Sequence, residues 1–249
     1  MERISLIELG QSTDNPPVLT VPGIDGSIGS VKPVAESLAE GRKILVADYS
    51  REENETLDGL MEELTELCAG LPYERIDLLG QSIGTVMTAY IAGNLKDRIN
   101  RVALMCTFTK LRWRTLRVST FMMGITPDWL YRITTIPIMA AVCGPVGDGW
   151  DHPFFAASRA AEKQRVRKRT AWQIDRNFSP ILEGIQAPLM VLMGENDRFV
   201  PDAGEEIAKL RRLLSGDDAE VRTIPEAGHV FLPSDAIERA SGILKEFYQ

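Results

Sequence analysis

A serine held between two glycines, Gly80-Gln81-Ser82-Ile83-Gly84, follows the apolar run RIDLLG (75 to 80) and precedes the helix-like run TVMTAYIA. In a strand, tight turn, helix setting, G-x-S-x-G lifts the serine Oγ clear of both backbones, and its small residues let strand and helix approach. Without that setting, such glycines make a turn and nothing more. A hydroxyl is a poor nucleophile until a base accepts its proton, and histidine is the usual base near neutral pH. The chain has two, His152 and His229. His229 lies in PEAGHVFLP, just past the strand-like EVRTIP, where a loop at the carboxyl edge of a parallel sheet would present it. His152, in GWDHPFF, reads as a surface or packing residue. For an orienting acid, MVLMGENDRFVP (190 to 201) offers Glu195 and Asp197 after another strand-like run. Acids after a glycine also serve as plain turn residues, so this assignment rests on the other two groups. No acid closely follows the earlier run RVALMCTF.

A second loop, VLTVPGIDGSIGS (18 to 30), carries glycines at 23, 26 and 29 between a strand-like and a helix-like run. That spacing suits either a phosphate cradle or the wall of a catalytic site.

The elements that must position these residues alternate along the chain. ISLIEL (4 to 9), VLTV (18 to 21), KILVADY (43 to 49), RIDLLG (75 to 80), RVALMCTF (101 to 108), PLMVLMG (188 to 194) and EVRTIP (220 to 225) read as strands, several of them apolar throughout as in sheets covered on both faces. Between them, TLDGLMEELTELCAGL places Leu57, Leu60, Leu64 and Leu67 on one helical stripe, and SIGTVMTAYIAGNL, GEEIAKLRRLL and SDAIERASGILKEFY read similarly. The expected fold class is α/β, a mostly parallel sheet flanked by helices. From 109 to 178 the alternation stops and helix-like stretches follow one another, as in a helical insertion over one edge of the core.

Composition sets the frame: 249 residues, 44% hydrophobic and 25% charged, suffice for one large core. The net charge of −7 divides unevenly, because 109 to 178 holds 12 Lys or Arg against 5 Asp or Glu and all four tryptophans. Three cysteines without a C-x-x-C pair, and only two histidines, argue against a disulfide framework and a metal site. The N-terminus has no apolar leader, and the longest apolar run, IPIMAAVCG, is too short to span a bilayer, so a cytoplasmic protein without a transmembrane segment is expected. No nucleic-acid module is present, and no nucleic-acid partner is expected.

The order Ser82, Asp197, His229, with G-x-S-x-G on an elbow, G-x-x-D-x-x-x-P after a late strand and Gly-His near the end, resembles the α/β-hydrolase family. The resemblance covers 1 to 108 and 179 to 249 and implies a helical cap over 109 to 178. It implies Ser82 as nucleophile, His229 as base and Asp197 as orienting acid. It also resolves the opening loop as one side of an oxyanion hole, with Ile24 and Ile83 giving the two backbone N–H groups. The family's usual His-Gly is here Pro22-Gly23, a form similar to thioesterase-like members, which leaves open what braces the loop and whether Asp25 faces the pocket or caps its own turn.

The function these likenesses imply is a serine hydrolase of a carboxylic ester or thioester with an apolar acyl group, using no cofactor or metal. Acyl transfer or carbon–carbon hydrolysis would use the same three residues, and a non-catalytic binding protein would keep the fold alone. Aspartate-nucleophile relatives are disfavoured by Ser82. Gln81, Asp25, Trp129 and Met122 are the expected substrate-contacting residues, the last two from an acyl pocket lined by the insertion or, equally, from its packing onto the core. The basic run EKQRVRKRTAWQIDR (162 to 176) reads as a solvated helix face or as an attractor for an anionic substrate such as acyl-CoA or an acyl carrier protein.

Overall fold

The computed structural model describes residues 4–51, 56–111, 113–200, 202–214 and 218–249; Pro201 of the acid loop lies outside them. Seven strands form one sheet: β1 (Ser5–Leu9), β2 (Val18–Val21), β3 (Ile44–Asp48), β4 (Ile76–Gln81), β5 (Ile99–Met105), β6 (Leu189–Gly194) and β7 (Ala219–Ile224), in the order β1-β3-β2-β4-β5-β6-β7. Every pairing is parallel except β1 with β3. β2, β4 and β6 are buried at each position, which is why they read as unbroken apolar runs, whereas edge strand β1 is partly exposed.

The core helices are α1 (Lys32–Ala39), α2 (Leu57–Gly70), α3 (Ile83–Asn94), α8 (Ser179–Leu182), α9 (Ala203–Leu213) and α10 (Ser234–Phe247). In α2, Leu57, Leu60 and Leu64 are buried, and Thr56 caps the first turn by accepting the Gly59 N–H at 3.0 Å. One apolar cluster joins α2, α3 and α9 to one face of the sheet, and a second joins α1 and α10 to the other.

Between β5 and β6 lie α4 (Trp113–Ile125), α5 (Asp128–Cys143), α6 (Pro153–Ala160) and α7 (Lys163–Ala171), with no strand among the described residues of that stretch. α4 packs on α7, α5 on α6, and α6 on the short 3-10 turn Ile28–Ser30 that follows β2. A small apolar cluster ties Cys143, Phe154 and Phe155 to Val230 and Leu232, beside His229.

The chain leaves β2 for β3 on one side and takes up β4 on the other. In an open α/β sheet, the carboxyl ends of strands at such a reversal border a crevice. Val21 at the end of β2 pairs with Gly80 at the end of β4, so the loop after β2 and the turn after β4 stand side by side.

Candidate active site

Ser82 sits between β4 and α3 with φ 55° and ψ −127°, a conformation an L residue adopts only where its surroundings enforce it. The close packing that Gly80 and Gly84 permit enforces it here. A Cβ on Gly80 would lie 2.8 Å from Thr85 Cα, and one on Gly84 would lie 2.2 Å from Pro22 O. Any side chain at either position would push helix from strand, or the turn from the loop after β2.

Ser82 Oγ lies 2.7 Å from His229 Nε2, and His229 Nδ1 lies 2.7 Å from Asp197 Oδ2. All three residues are buried. Asp197 Oδ1 accepts the N–H groups of Phe199 and Val200 at 2.9 and 3.0 Å, which locks the carboxylate in place. A carboxylate accepts, so Nδ1 carries the ring proton, and Nε2 of the neutral ring is the acceptor turned toward the serine hydroxyl. His229 is held from several sides: its backbone N–H donates to Cys143 O, its backbone carbonyl accepts Gln81 Nε2 at 3.2 Å, and the Phe199 ring stands 4.5 Å from its imidazole, centroid to centroid.

Cys106, Asp197 and His229 bring three metal-ligating atoms within 4.8 Å of one another. The donor set does not suit a cation. Both imidazole nitrogens are engaged, and burial, with Asp197 beside it, pushes the Cys106 thiol well above its ordinary range, so its Sγ–H points to Gly228 O at 3.5 Å.

Ile24 follows β2 and Ile83 opens α3; among the described residues, neither N–H donates a hydrogen bond. The first N–H groups of a helix have no partner within it, so Ile83 offers a donor directly beside Ser82.

The brace for the Pro22-Gly23 loop is Tyr49, fully buried at the end of β3. Its hydroxyl shares one proton between Pro22 O at 2.6 Å and Gly23 O at 2.8 Å, and Gly23 O also accepts the Gly26 N–H at 3.0 Å. Gly23 C=O and Ile24 N–H belong to one planar trans peptide and point oppositely. Fixing the carbonyl therefore aims the donor. Arg169 of α7, also fully buried, donates to Ile24 O at 3.0 Å and to Tyr49 O at 2.6 Å, with its guanidinium 4.8 Å over the Tyr49 ring.

Other expected contacts fall differently. Asp25 caps its own turn, accepting Ser27 Oγ–H at 2.8 Å and Ser27 N–H at 3.3 Å; burial raises its carboxyl above the ordinary range against those bonds and the Arg169 charge. Gln81 is a strut under His229. Met122 on α4 and Trp129 on α5 are exposed, and neither borders the groove of about 580 Å³ that Arg132, Ile136, Trp150, Phe155 and Arg159 line between α5 and α6. The basic run on α7 is not a solvated face: Arg165 donates to Ser50 O, Arg167 to Thr120 O at 3.0 Å, and Arg169 to the loop after β2. Sequence spacing carries no sign of Tyr49 or Arg169, whose partners in the loop after β2 lie 26 or more residues away.

His152 caps α6, accepting the Phe154 N–H on Nδ1 at 3.0 Å, and burial pulls its pKa from 6.5 down to about 4. The unfolded chain gains a proton near pH 6.5 and the folded one only near pH 4, so this stability is present above 6.5 and lost as pH falls through that window. Urea unfolding at a series of pH values should show a loss of up to about 3 kcal/mol. His152→Asn, which keeps a capping acceptor, should flatten that slope.

The described chain matches the model of the alpha/beta hydrolase family over residues 18–240. No curated protein matches it in sequence. Among solved structures it is similar to an esterase from Exiguobacterium antarcticum (TM-score 0.82, 14% identity, 98% of this chain and 95% of that one). It is similar to a thermophilic esterase from Thermogutta terrifontis (TM-score 0.76, 21% identity, 98% and 92%) and to a bromoperoxidase from Bacillus anthracis (TM-score 0.77, 15% identity, 98% and 94%). At these identities the likeness is one of fold, and chemistry rests on the site.

Proposed function

The chain belongs to the alpha/beta hydrolase family, and from the geometry at its elbow we propose that it is a serine hydrolase cleaving carboxylic esters with an apolar acyl group. The observation that carries this reading is the pair of 2.7 Å contacts running from Ser82 through His229 to Asp197. Ser82 Oγ attacks the acyl carbon while its proton passes to His229 Nε2, and Asp197 stabilises the imidazolium that results. The Ile24 and Ile83 N–H groups bind the carbonyl oxygen as it becomes an oxyanion. His229 then gives the proton to the departing alkoxide as the C–O bond breaks. A water deprotonated by His229 releases the acid from the acyl-enzyme. The Phe199 ring beside His229 gives the site an apolar neighbour.

Residues 109–178 are the cap of this enzyme, inserted between the two core segments 1–108 and 179–249, and its Arg169 reaches into the oxyanion loop. Commitment of Arg165, Arg167 and Arg169 to backbone carbonyls favours an uncharged ester over acyl-CoA or an acyl carrier protein. A panel of p-nitrophenyl esters and acyl-CoAs of matched chain length tests this: kcat/KM should favour the esters at each length, and a preference for acyl-CoA would restore the thioester reading.

Tyr49→Phe removes the proton that aims the Ile24 N–H while keeping the ring under Arg169. Because losing an oxyanion donor outright costs about 10² to 10³ in turnover, misaiming one should lower kcat by about tenfold with KM nearly unchanged. A raised KM at constant kcat, or no change in either, would remove Tyr49 from the positioning of that donor.

A further inference from the structure

Every exposed large hydrophobic residue among the described ones falls between 118 and 150, on or next to α4 and α5. Val118, Phe121, Met122 and Ile125 recur at the spacing of one face of α4, and Trp129 and Ile133 are exposed at i, i+4 on α5 past the turn; these six are 49% to 65% exposed. An amphipathic helix in a water-soluble domain buries such a stripe. Here the inner face of α4 is already occupied: Leu116 is buried, Thr120 O accepts Arg167 Nε, and Lys163 holds the turn by donating to Thr126 O and pairing with Asp128, both at 2.6 Å. The exposed residues are therefore additional apolar surface on helices already packed elsewhere, α4 on α7 and α5 on α6.

Charge identifies what covers it. Residues 110 to 143 contain five Lys or Arg and one Asp, a net +4 on a chain whose remainder carries −11. Arg114 and Arg132 are exposed on these helices, and exposed Arg117 shares its charge with Asp175. A two-fold contact with a second copy would set these arginines against their own counterparts. An anionic lipid surface accepts both features at once, with apolar side chains entering the acyl boundary and guanidinium groups meeting headgroups. Trp129, beside the turn, is the residue type that settles at that depth. No described helix is long and apolar enough to cross a membrane, which fits helices lying on the surface.

We propose that α4 and α5, with the turn that joins them, dock this protein on anionic lipid surfaces. The proposal stands apart from the chemistry at Ser82. The full chain should sediment with vesicles of phosphatidylglycerol and phosphatidylcholine in equal parts, its tryptophan emission shifting to the blue. Binding should weaken by about tenfold or more on phosphatidylcholine alone or in high salt. The double variant Phe121→Asp, Ile125→Asp should lose binding at an unchanged unfolding midpoint. Absence of binding to the mixed vesicles, or full binding by the double variant, would overturn the proposal. So would a dimer in light scattering that the double variant dissociates, because that would assign the stripe to a second copy.

Discussion

Ser82→Ala is expected to lower ester turnover by about 10⁶, leaving the small rate that binding and oxyanion stabilisation alone sustain. The size of the loss follows from what Oγ does: among the described residues no other hydroxyl bonds His229 Nε2, so without it there is no acyl-enzyme and the base has only water to activate. The fold should not suffer. Ser82 makes its structural bonds through its backbone, with its N–H on Met105 O at 3.0 Å and its carbonyl taking Thr85 N–H and Oγ–H. Alanine also fits the φ 55° turn no worse than serine, since both carry one Cβ. The unfolding midpoint should therefore match the parent, and kcat measured on a p-nitrophenyl ester should not.

Asp197→Asn should cost about 10⁴ in kcat. An amide presents a donor as well as an acceptor, and the two backbone N–H groups of Phe199 and Val200 claim the acceptor oxygen. The NH₂ group is then left facing His229 Nδ1, which must become an acceptor, and the ring proton moves to Nε2. There it points at Ser82 Oγ and cannot receive the serine proton. The substitution is nearly isosteric, so the damage should fall on kcat, with KM and thermal stability little changed. A loss of tenfold or less would mean that Asp197 serves the loop more than the imidazole.

The sheet is legible in the sequence because its inner strands are covered on both faces: VLTV, RIDLLG and PLMVLMG are short apolar runs bounded by turn residues, and β2, β4 and β6 form there. The proximity of Ser82, Asp197 and His229 is legible for a different reason. Each follows a strand in a parallel sheet, and parallel strands deliver their following loops to one edge. The brace of the loop after β2 is not legible, because Tyr49 and Arg169 act on backbone oxygens far away in the chain, and such contacts leave no spacing behind. Arg169 in particular reads as one charge in a basic helix, whereas its burial depends on α7 seating against the loop after β2. Met122 and Trp129 show the converse. Apolar residues at helical spacing point inward by default, and only tertiary packing reveals that the inner face of α4 is already taken. His152 reads as a packing residue, and the structure adds that its ring caps α6.

Activation of Ser82 as a nucleophile by His229 and Asp197 is read out by reaction with a fluorophosphonate followed by intact-mass and peptide mapping. One phosphonyl adduct on Ser82 is expected in the parent protein, none in Ser82→Ala and a slowed reaction in Asp197→Asn. A folded parent protein that takes up no adduct, or takes it up on another residue, would contradict the account.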